Sequence, residues 1–158
     1  MTGCLIRLPS RRRFLIGAAG AGLAATLLPR TGRATPEEMQ AALRKIIGEA
    51  SLQPGKVTLD LPPLVENGNT VPLTVTVESP MTESDHVRAI HVLNQKNPQP
   101  YVITAHLGPH AGRARVSTRI KLADAQTVLA VAEMSDGSFW SGSADIVVTI
   151  AACVEDVP

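Results

Sequence analysis

The spacing of apolar residues changes once along this chain, and the change separates a helix from a series of strands. After residue 34, apolar residues first recur at helical intervals, at Met39, Ala42, Leu43, Ile46 and Ile47. Thr35 and Pro36 suit the start of a helix, and Gly48 suits its end. We therefore predict a short N-terminal helix whose apolar stripe is a packing surface.

Beyond residue 56 the chain reads as short strands, several of which alternate strictly between apolar and polar positions. These runs occupy residues 57–61, 71–77, 87–93, 101–107, 113–122, 126–134 and 138–150. Polar turn sequences separate the runs, among them residues 66–69 and 136–137. About seven strands without intervening helices predict a mainly β fold, an immunoglobulin-like antiparallel β-sandwich.

Two surface features of the predicted sandwich are candidate partner-binding faces. The run at 113–122 has one basic face, which carries Arg113, Arg115, Arg119 and Lys121. Such a face is either simply solvated or serves as a docking or anion-attracting patch. The second feature is the polar loop at residues 79–85, in which we expect Met81 to be exposed.

Residues 1–34 lie outside the sandwich pattern and resemble an export signal. The twin-arginine motif is formed by Ser10, Arg11, Arg12, Phe14 and Leu15. An apolar run of 14 residues follows, which is shorter than the roughly 20 residues that span a bilayer. Small residues then precede position 35, so we predict a signal peptide at 1–34, cleavage after Ala34, and a periplasmic domain.

Loss of this segment changes the charge of the chain. Residues 1–34 contain six of the 15 basic residues and none of the 14 acidic ones, so nine basic residues remain and the net charge becomes −5. A mildly acidic exported domain is a poor partner for nucleic acid or for anionic membrane surfaces. We therefore expect neither nucleic acid nor, after cleavage, a membrane among its partners.

The predicted sandwich domain covers residues 35–150, and an arm at 151–158 carries Cys153. Because Cys4 leaves with the signal, Cys153 is then the only cysteine. A lone thiol in an exported domain stays idle, pairs with another chain, or carries a group. Glu155, Asp156 and the terminal carboxylate disfavour the thiolate, so we expect an ordinary or raised pKa for this thiol.

Other chemistry finds little support in the sequence. The histidines are scattered, at His86, His91, His106 and His110, and read as surface residues. A blue-copper site requires a histidine, and usually a methionine, close to the cysteine, but only Val-Glu-Asp-Val-Pro follows Cys153. No base is assigned to Cys153 for a thiol enzyme. The sequence therefore predicts no metal site, no cofactor and no catalytic residue.

Several collinear motifs of the chain resemble the SoxY family, the sulfur-carrier subunit of the periplasmic thiosulfate-oxidising (Sox) system. They are Lys-Val-Thr-Leu-Asp-Leu at 56–61, Glu-Asn-Gly-Asn-Thr-Val-Pro at 66–72, Val-Glu-Ser-Pro-Met-Thr at 77–82, Asp-His-Val at 85–87, Ala-Ile-His at 89–91, Asn-Pro-Gln-Pro at 97–100, and Ala-Glu-Met-Ser-Asp-Gly-Ser at 132–138. Together with the signal, the helix and the late cysteine, they span essentially the whole chain.

The resemblance implies a carrier rather than an enzyme. SoxY-like proteins pair with a smaller sandwich subunit, SoxZ, and hold pathway intermediates covalently on a cysteine near the C-terminus. A haem enzyme joins thiosulfate to that thiol, sulfate is then removed by hydrolysis, and the remaining sulfur is oxidised further. By position, Cys153 is the matching attachment residue.

The residues around Cys153 depart from the family pattern. The family places its cysteine in Gly-Gly-Cys-Gly-Gly, whereas Ala151, Ala152 and Val154 flank Cys153 here and an acidic extension follows. Alanine and valine restrict the backbone where glycine leaves it free. The alternatives to a working carrier are a divergent structural or binding subunit with a vestigial cysteine and, less favoured, a thiol enzyme.

Overall fold

The structure is a computed structural model that describes residues 34–152. Within this range the chain forms one α-helix, nine strands and one 3₁₀ turn. They are α1 (Pro36–Ile47), β1 (Leu52–Pro54), β2 (Val57–Asp60), β3 (Leu64–Asn67), β4 (Val71–Val77), β5 (Val87–Asn94), β6 (Tyr101–His106), the 3₁₀ turn (Pro109–Ala111), β7 (Arg115–Ile120), β8 (Gln126–Met134) and β9 (Phe139–Ile150).

Helix α1 begins and ends where its sequence predicts. The Thr35 hydroxyl accepts from the Glu38 backbone N–H at 3.3 Å, and the Glu38 carboxylate accepts from the Thr35 N–H at 3.2 Å, which is a reciprocal capping box. Gly48 ends the helix with φ of 61°, a value that favours glycine. Of the helices in residues 34–152, none is long and apolar enough to cross a membrane.

The nine described strands form two sheets packed face to face. The larger sheet has the order β1-β9-β8-β5-β6, with β3 also paired to β9, and the smaller has the order β2-β4-β7. Valines and isoleucines at alternate positions of both sheets fill the space between them, including Val71, Val75, Ile90 and Val128. The predicted mainly β sandwich with a short N-terminal helix is confirmed.

The helix covers the outer face of the larger sheet. Met39 and Leu43 pack against Leu93, Val131 and Phe139 in a second apolar cluster. The apolar stripe predicted from the helical spacing is thus a packing surface, as expected. At the opposite side of the sandwich, β7 is the outer strand of the smaller sheet, and among the described strands it pairs only with β4.

The sandwich is not purely antiparallel, because β1 and β3 run parallel to β9. Neither strand was predicted from the sequence. β1 has three residues and ends in Pro54, and β3 has four residues and ends in the turn-like pair Glu66 and Asn67. Segments this short show no measurable alternation, and among the described strands only β9 gives them hydrogen-bond partners.

The expectation that Met81 is exposed is wrong. Its side chain is 7 % exposed and packs in the core between the sheets. The backbone turns inward there, with Met81 in the left-handed region at φ of 52° and its N–H donating to the Ser79 hydroxyl at 3.2 Å. The polar residues on both sides of Met81 gave no indication of this inward turn. Because its side chain is buried, Met81 is not a partner-binding feature.

Candidate functional site: the root of the cysteine arm

Three backbone hydrogen bonds fix the chain where the described part ends. The Ala152 N–H donates to the Leu122 carbonyl at 3.0 Å, the Leu122 N–H to the Gly68 carbonyl at 2.9 Å, and the Gly68 N–H to the Ile150 carbonyl at 2.9 Å. We call these four residues the C-terminal clamp. Ala151 is exposed but Ala152 is buried, so the chain is held against the domain up to the residue before Cys153.

Gly68 lets the three segments of the clamp meet. A Cβ atom at this position would contact the Leu122 carbonyl oxygen, and it would lie 2.8 Å from the Ala152 nitrogen and 3.0 Å from Cγ1 of Val148. Backbone atoms cannot move aside as a flexible side chain can, so any larger residue displaces at least one strand of the clamp. The neighbouring turn is fixed by Asn67, whose side-chain oxygen accepts from the Asn69 N–H at 2.9 Å.

A partly buried polar network holds the segment that contains Leu122. The Asn97 side chain donates to the Lys121 carbonyl at 2.8 Å and accepts from the Ala123 N–H at 3.0 Å, so it brackets Leu122 on both sides. Gln126 donates to the Asn97 side-chain oxygen at 3.1 Å, and its own oxygen accepts from the Lys96 N–H at 2.8 Å. The carbonyl that accepts from Ala152 is therefore part of a rigid loop cluster.

The residues predicted as functional from the sequence lie outside the described range. This applies to the attachment residue Cys153 and to the export motif, which consists of Ser10, Arg11, Arg12, Phe14 and Leu15. Their roles stay predictions. The described structure adds the support for the arm, formed by Gly68, Leu122 and Asn97, which sequence reasoning did not find. The only sequence signal was the Asn-Gly-Asn turn at 67–69, and it does not reveal that the turn meets residue 152.

The histidines are dispersed over the described structure, and His91 is not a simple surface residue. His106 and His110 are exposed. His86 Nδ1 donates a hydrogen bond to the Thr82 carbonyl oxygen at 3.1 Å. His91 is partly buried, with Nδ1 3.1 Å from the Thr104 hydroxyl. Burial lowers the pKa of His91, the carboxylate of Glu133 opposes this change, and His106 adds to it. Across residues 34–152, no three His, Cys, Asp or Glu side chains gather to hold a metal ion.

The basic face of β7 is exposed, as its alternation predicts. Arg113, Arg115, Arg119 and Lys121 all point to solvent, whereas Ala114, Ile120 and Leu122 are buried. Arg119 and Lys121 also line an open cleft of about 300 Å³ between the outer strands β6 and β7. Lys121 immediately precedes Leu122, so the basic face begins at the clamp.

Solved structures with a similar fold include a sulfur carrier protein and superoxide reductases. The sulfur carrier protein SoxY from Chlorobium limicola f thiosulfatophilum superposes with a TM-score of 0.62 at 22% identity, over 73% of this chain and 100% of that one. The superoxide reductase (neelaredoxin) from Ignicoccus hospitalis gives a TM-score of 0.54 at 16% identity, over 73% and 94%. The superoxide reductase from Nanoarchaeum equitans gives 0.52 at 12% identity, over 61% and 100%. At such identities the likeness shows the fold alone.

The family comparison is more specific than the likeness of fold. No curated protein matches the chain. The model of the family described as sulfur oxidation protein SoxY matches residues 43–153, which is more than half of the chain. The match covers every described strand and both loops of the clamp, and it ends on Cys153. The chain therefore belongs to the SoxY family of sulfur oxidation proteins.

Proposed function

We propose that this protein is a periplasmic carrier that holds thiosulfate-derived intermediates on Cys153 and presents them to partner enzymes. The observation that carries the proposal is that the family match runs to Cys153, immediately after a residue that the clamp ties to the domain. A residue that is tied to the domain and is followed directly by a thiol suits a carrier that presents a bound group to other proteins.

The carrier itself supplies a thiol and no redox chemistry. Two electrons leave when the sulfane sulfur of thiosulfate bonds to the Cys153 sulfur, giving a cysteine S-thiosulfonate and releasing the thiol proton. The electrons go to the haem enzyme of the system. Water then cleaves the bond between sulfur and the sulfonate group, which releases sulfate and leaves a persulfide on Cys153. On this proposal the chain is a substrate of its partners and not an enzyme.

We further propose a heterodimer with a SoxZ-like sandwich subunit and export by the twin-arginine route. Folded proteins can use that route, so the pair can form before export. Lysine substitution of Arg11 and Arg12 together is expected to leave the protein in the cytoplasm, as measured by fractionation. Export of this variant at the normal level would contradict the proposed route.

The main test is mass spectrometry of the C-terminal peptide, using protein isolated from the periplasm of cells that oxidise thiosulfate. We expect S-thiosulfonate and persulfide adducts on Cys153, and no thiosulfate oxidation with a Cys153→Ser variant. A peptide that shows only free thiol or its routine oxidation products would refute the carrier proposal. So would full thiosulfate oxidation by the serine variant.

The second candidate is a structural or binding subunit whose cysteine is vestigial. The observation in its favour is that alanine and valine flank Cys153 where the family has glycine. A variant with glycine at positions 151, 152 and 154 separates the two. If partner enzymes accept the native arm, adducts form in both proteins. If the native arm has lost its function, adducts form only in the glycine variant or in neither, while SoxZ-like binding persists in both.

A further inference from the structure

The basic face of β7 concentrates positive charge on an otherwise acidic domain. Four of the nine basic residues beyond residue 34 lie between positions 113 and 121, and no acidic residue lies among them. Within residues 34–152, none of these four side chains takes part in a salt bridge. The carrier chemistry uses none of them either, so the face is free for another role.

The backbone of β7 is open along one edge. The strand pairs with β4, and no described strand pairs with its other side. The Val77 N–H donates to the Ala114 carbonyl at 2.9 Å, so these two residues form a hydrogen-bonded pair of the antiparallel ladder. Because such pairs alternate with pairs that share no hydrogen bond, Ser117 and Arg119 point their N–H and C=O groups away from β4. Pro72, which has no N–H, lies opposite Arg119, in agreement with this alternation.

The two faces beside this edge differ in chemistry. On the outer face of the smaller sheet, the side chains of Arg115, Ser117 and Arg119 are exposed. On the inner side, the open cleft of about 300 Å³ between β6 and β7 is lined in part by the apolar, partly buried side chains of Val102 and Ile103. A strand that pairs with the open edge therefore has basic groups along one of its faces and an apolar cleft along the other.

The charges on β7 favour an acidic strand over a second copy of this chain. If two copies of β7 paired antiparallel about Ser117, Arg115 of each copy would lie opposite Arg119 of the other, and like charges in that position repel. A polyanion such as nucleic acid could neutralise the arginines, but only another peptide backbone pairs with the row of free N–H and C=O groups. A strand with acidic side chains satisfies both requirements.

We infer that the open edge of β7 is the docking site for an edge strand of a partner protein, a strand that alternates acidic and apolar side chains and extends the smaller sheet. Its acidic side chains lie along Arg115 and Arg119, and its apolar side chains enter the cleft beside Val102 and Ile103. The inference rests on the proposed function in that the SoxZ-like subunit is taken as the protein that supplies this strand.

Amide hydrogen exchange of the exported protein, alone and with the SoxZ-like subunit, tests the pairing of the backbones. We expect the N–H groups of Ser117 and Arg119 to exchange about tenfold more slowly in the complex. Those of Val116 and Thr118 already face β4 and should change little. Equal slowing at all four residues, no slowing at Ser117 and Arg119, or the absence of any complex would overturn the inference.

Ser117→Pro blocks the centre of the edge, and Ser117→Ala is its matched control. Proline is tolerated on an outer strand where its missing N–H faces away from the sheet. Both variants lose the hydrogen bond of 2.6 Å between the Ser117 and Thr74 hydroxyls, so the difference between them reports the open edge. We expect the Kd for the SoxZ-like subunit to be about tenfold higher for the proline variant than for the alanine variant. Equal Kd values would contradict strand pairing.

A pair of surface substitutions tests the charge and decides the matter if Ser117→Pro does not fold. Arg115→Gln with Arg119→Gln should raise the Kd about threefold to tenfold and reduce its dependence on salt. The control, Arg44→Gln with Lys45→Gln, removes the same charge from the exposed last turn of α1, which packs on the other sheet, and should leave the Kd unchanged. Equal effects of the two double variants would overturn the inference.

Adducts on Cys153 are scored separately by mass spectrometry, so the two proposals fail in different ways. Adducts on the native protein, together with an unchanged Kd in every β7 variant, refute the docking site alone. Weaker binding in the β7 variants, together with a native protein that never carries an adduct, refutes the carrier function alone.

Discussion

Replacement of Gly68 by alanine tests whether the clamp positions the arm. The added methyl group would contact the Leu122 carbonyl oxygen and lie 2.8 Å from the Ala152 nitrogen. One of the segments must move, and the bonds from Ala152 to Leu122 and from Leu122 to Gly68 lengthen or break. The change therefore acts on Ala152, the residue next to Cys153, without replacing any residue of the arm.

The size of the effect follows from the contacts that are lost. A backbone hydrogen bond contributes about 0.5–1.5 kcal/mol net, and an extra methyl group in a packed site costs about 1–3 kcal/mol. The residues near Ala152 can move more easily than a strand inside the sheet. We therefore expect Gly68→Ala to lower the free energy of unfolding by about 1–3 kcal/mol. The main local result is faster amide hydrogen exchange at Ala152, by about tenfold to a hundredfold for that free energy.

The matched control is Gly108→Ala. Gly108 has a φ of −127°, which any residue adopts, and a Cβ atom there would meet nothing within 4 Å. Urea unfolding and amide exchange of both variants decide the outcome. If Gly68→Ala matches Gly108→Ala in stability and in the exchange rate at Ala152, the clamp does not hold the arm root and the reasoning is refuted.

Two further predictions concern residues that we expected from the sequence to lie at the surface. Met81→Ala should lower the free energy of unfolding by about 2–5 kcal/mol, because Met81 is a core residue. Met81→Leu should lower it by less than about 1.5 kcal/mol. Equal, negligible losses for both variants in urea unfolding would show that Met81 is exposed. Burial lowers the pKa of His91 in the folded protein. As pH falls below about 6.5, His91 of the unfolded chain therefore binds a proton before His91 of the folded protein does. The free energy of unfolding should decrease from that pH down to the lowered pKa of the folded state. His91→Gln should flatten this decrease relative to the exposed control His110→Gln, and unfolding curves of identical pH dependence in the two variants would contradict it.

Local sequence predicts the parts of this fold that depend on local interactions. Helix α1 has its start and end at Thr35 and Gly48 because the capping side chain and the glycine act on their own turn. Strand β8 has the predicted bounds, because its nine residues form a long and largely apolar run. By contrast, β1 and β3 are strands only because β9 lies beside them, and their own residues carry too little pattern to reveal it.

The candidate site was only half predictable for the same reason. The position of Cys153 as a lone thiol near the end follows from counting and from the predicted signal. The clamp, however, joins Gly68, Leu122 and Ala152, which are far apart in sequence, through backbone atoms that no residue type specifies. Asn97 is similar, because its role depends on Lys121 and Ala123 being brought to it by the fold.

The clamp also bears on the effect of having alanine and valine beside Cys153, where the SoxY family pattern has glycines. Flanking glycines free an arm on both sides of its cysteine, but here the residue before Cys153 is tied to the domain. If Cys153 carries sulfur as proposed, a partner enzyme with a deep active site must open the clamp before the thiol can enter. If opening costs about 1–3 kcal/mol, the apparent affinity of such a partner falls by roughly tenfold to a hundredfold. Gly68→Ala removes part of that cost, so the variant that weakens the fold should load sulfur faster in a reconstituted system with SoxZ-like and partner proteins. Slower loading would mean that partners recognise the clamped arm and that the fixed root is itself part of the docking geometry.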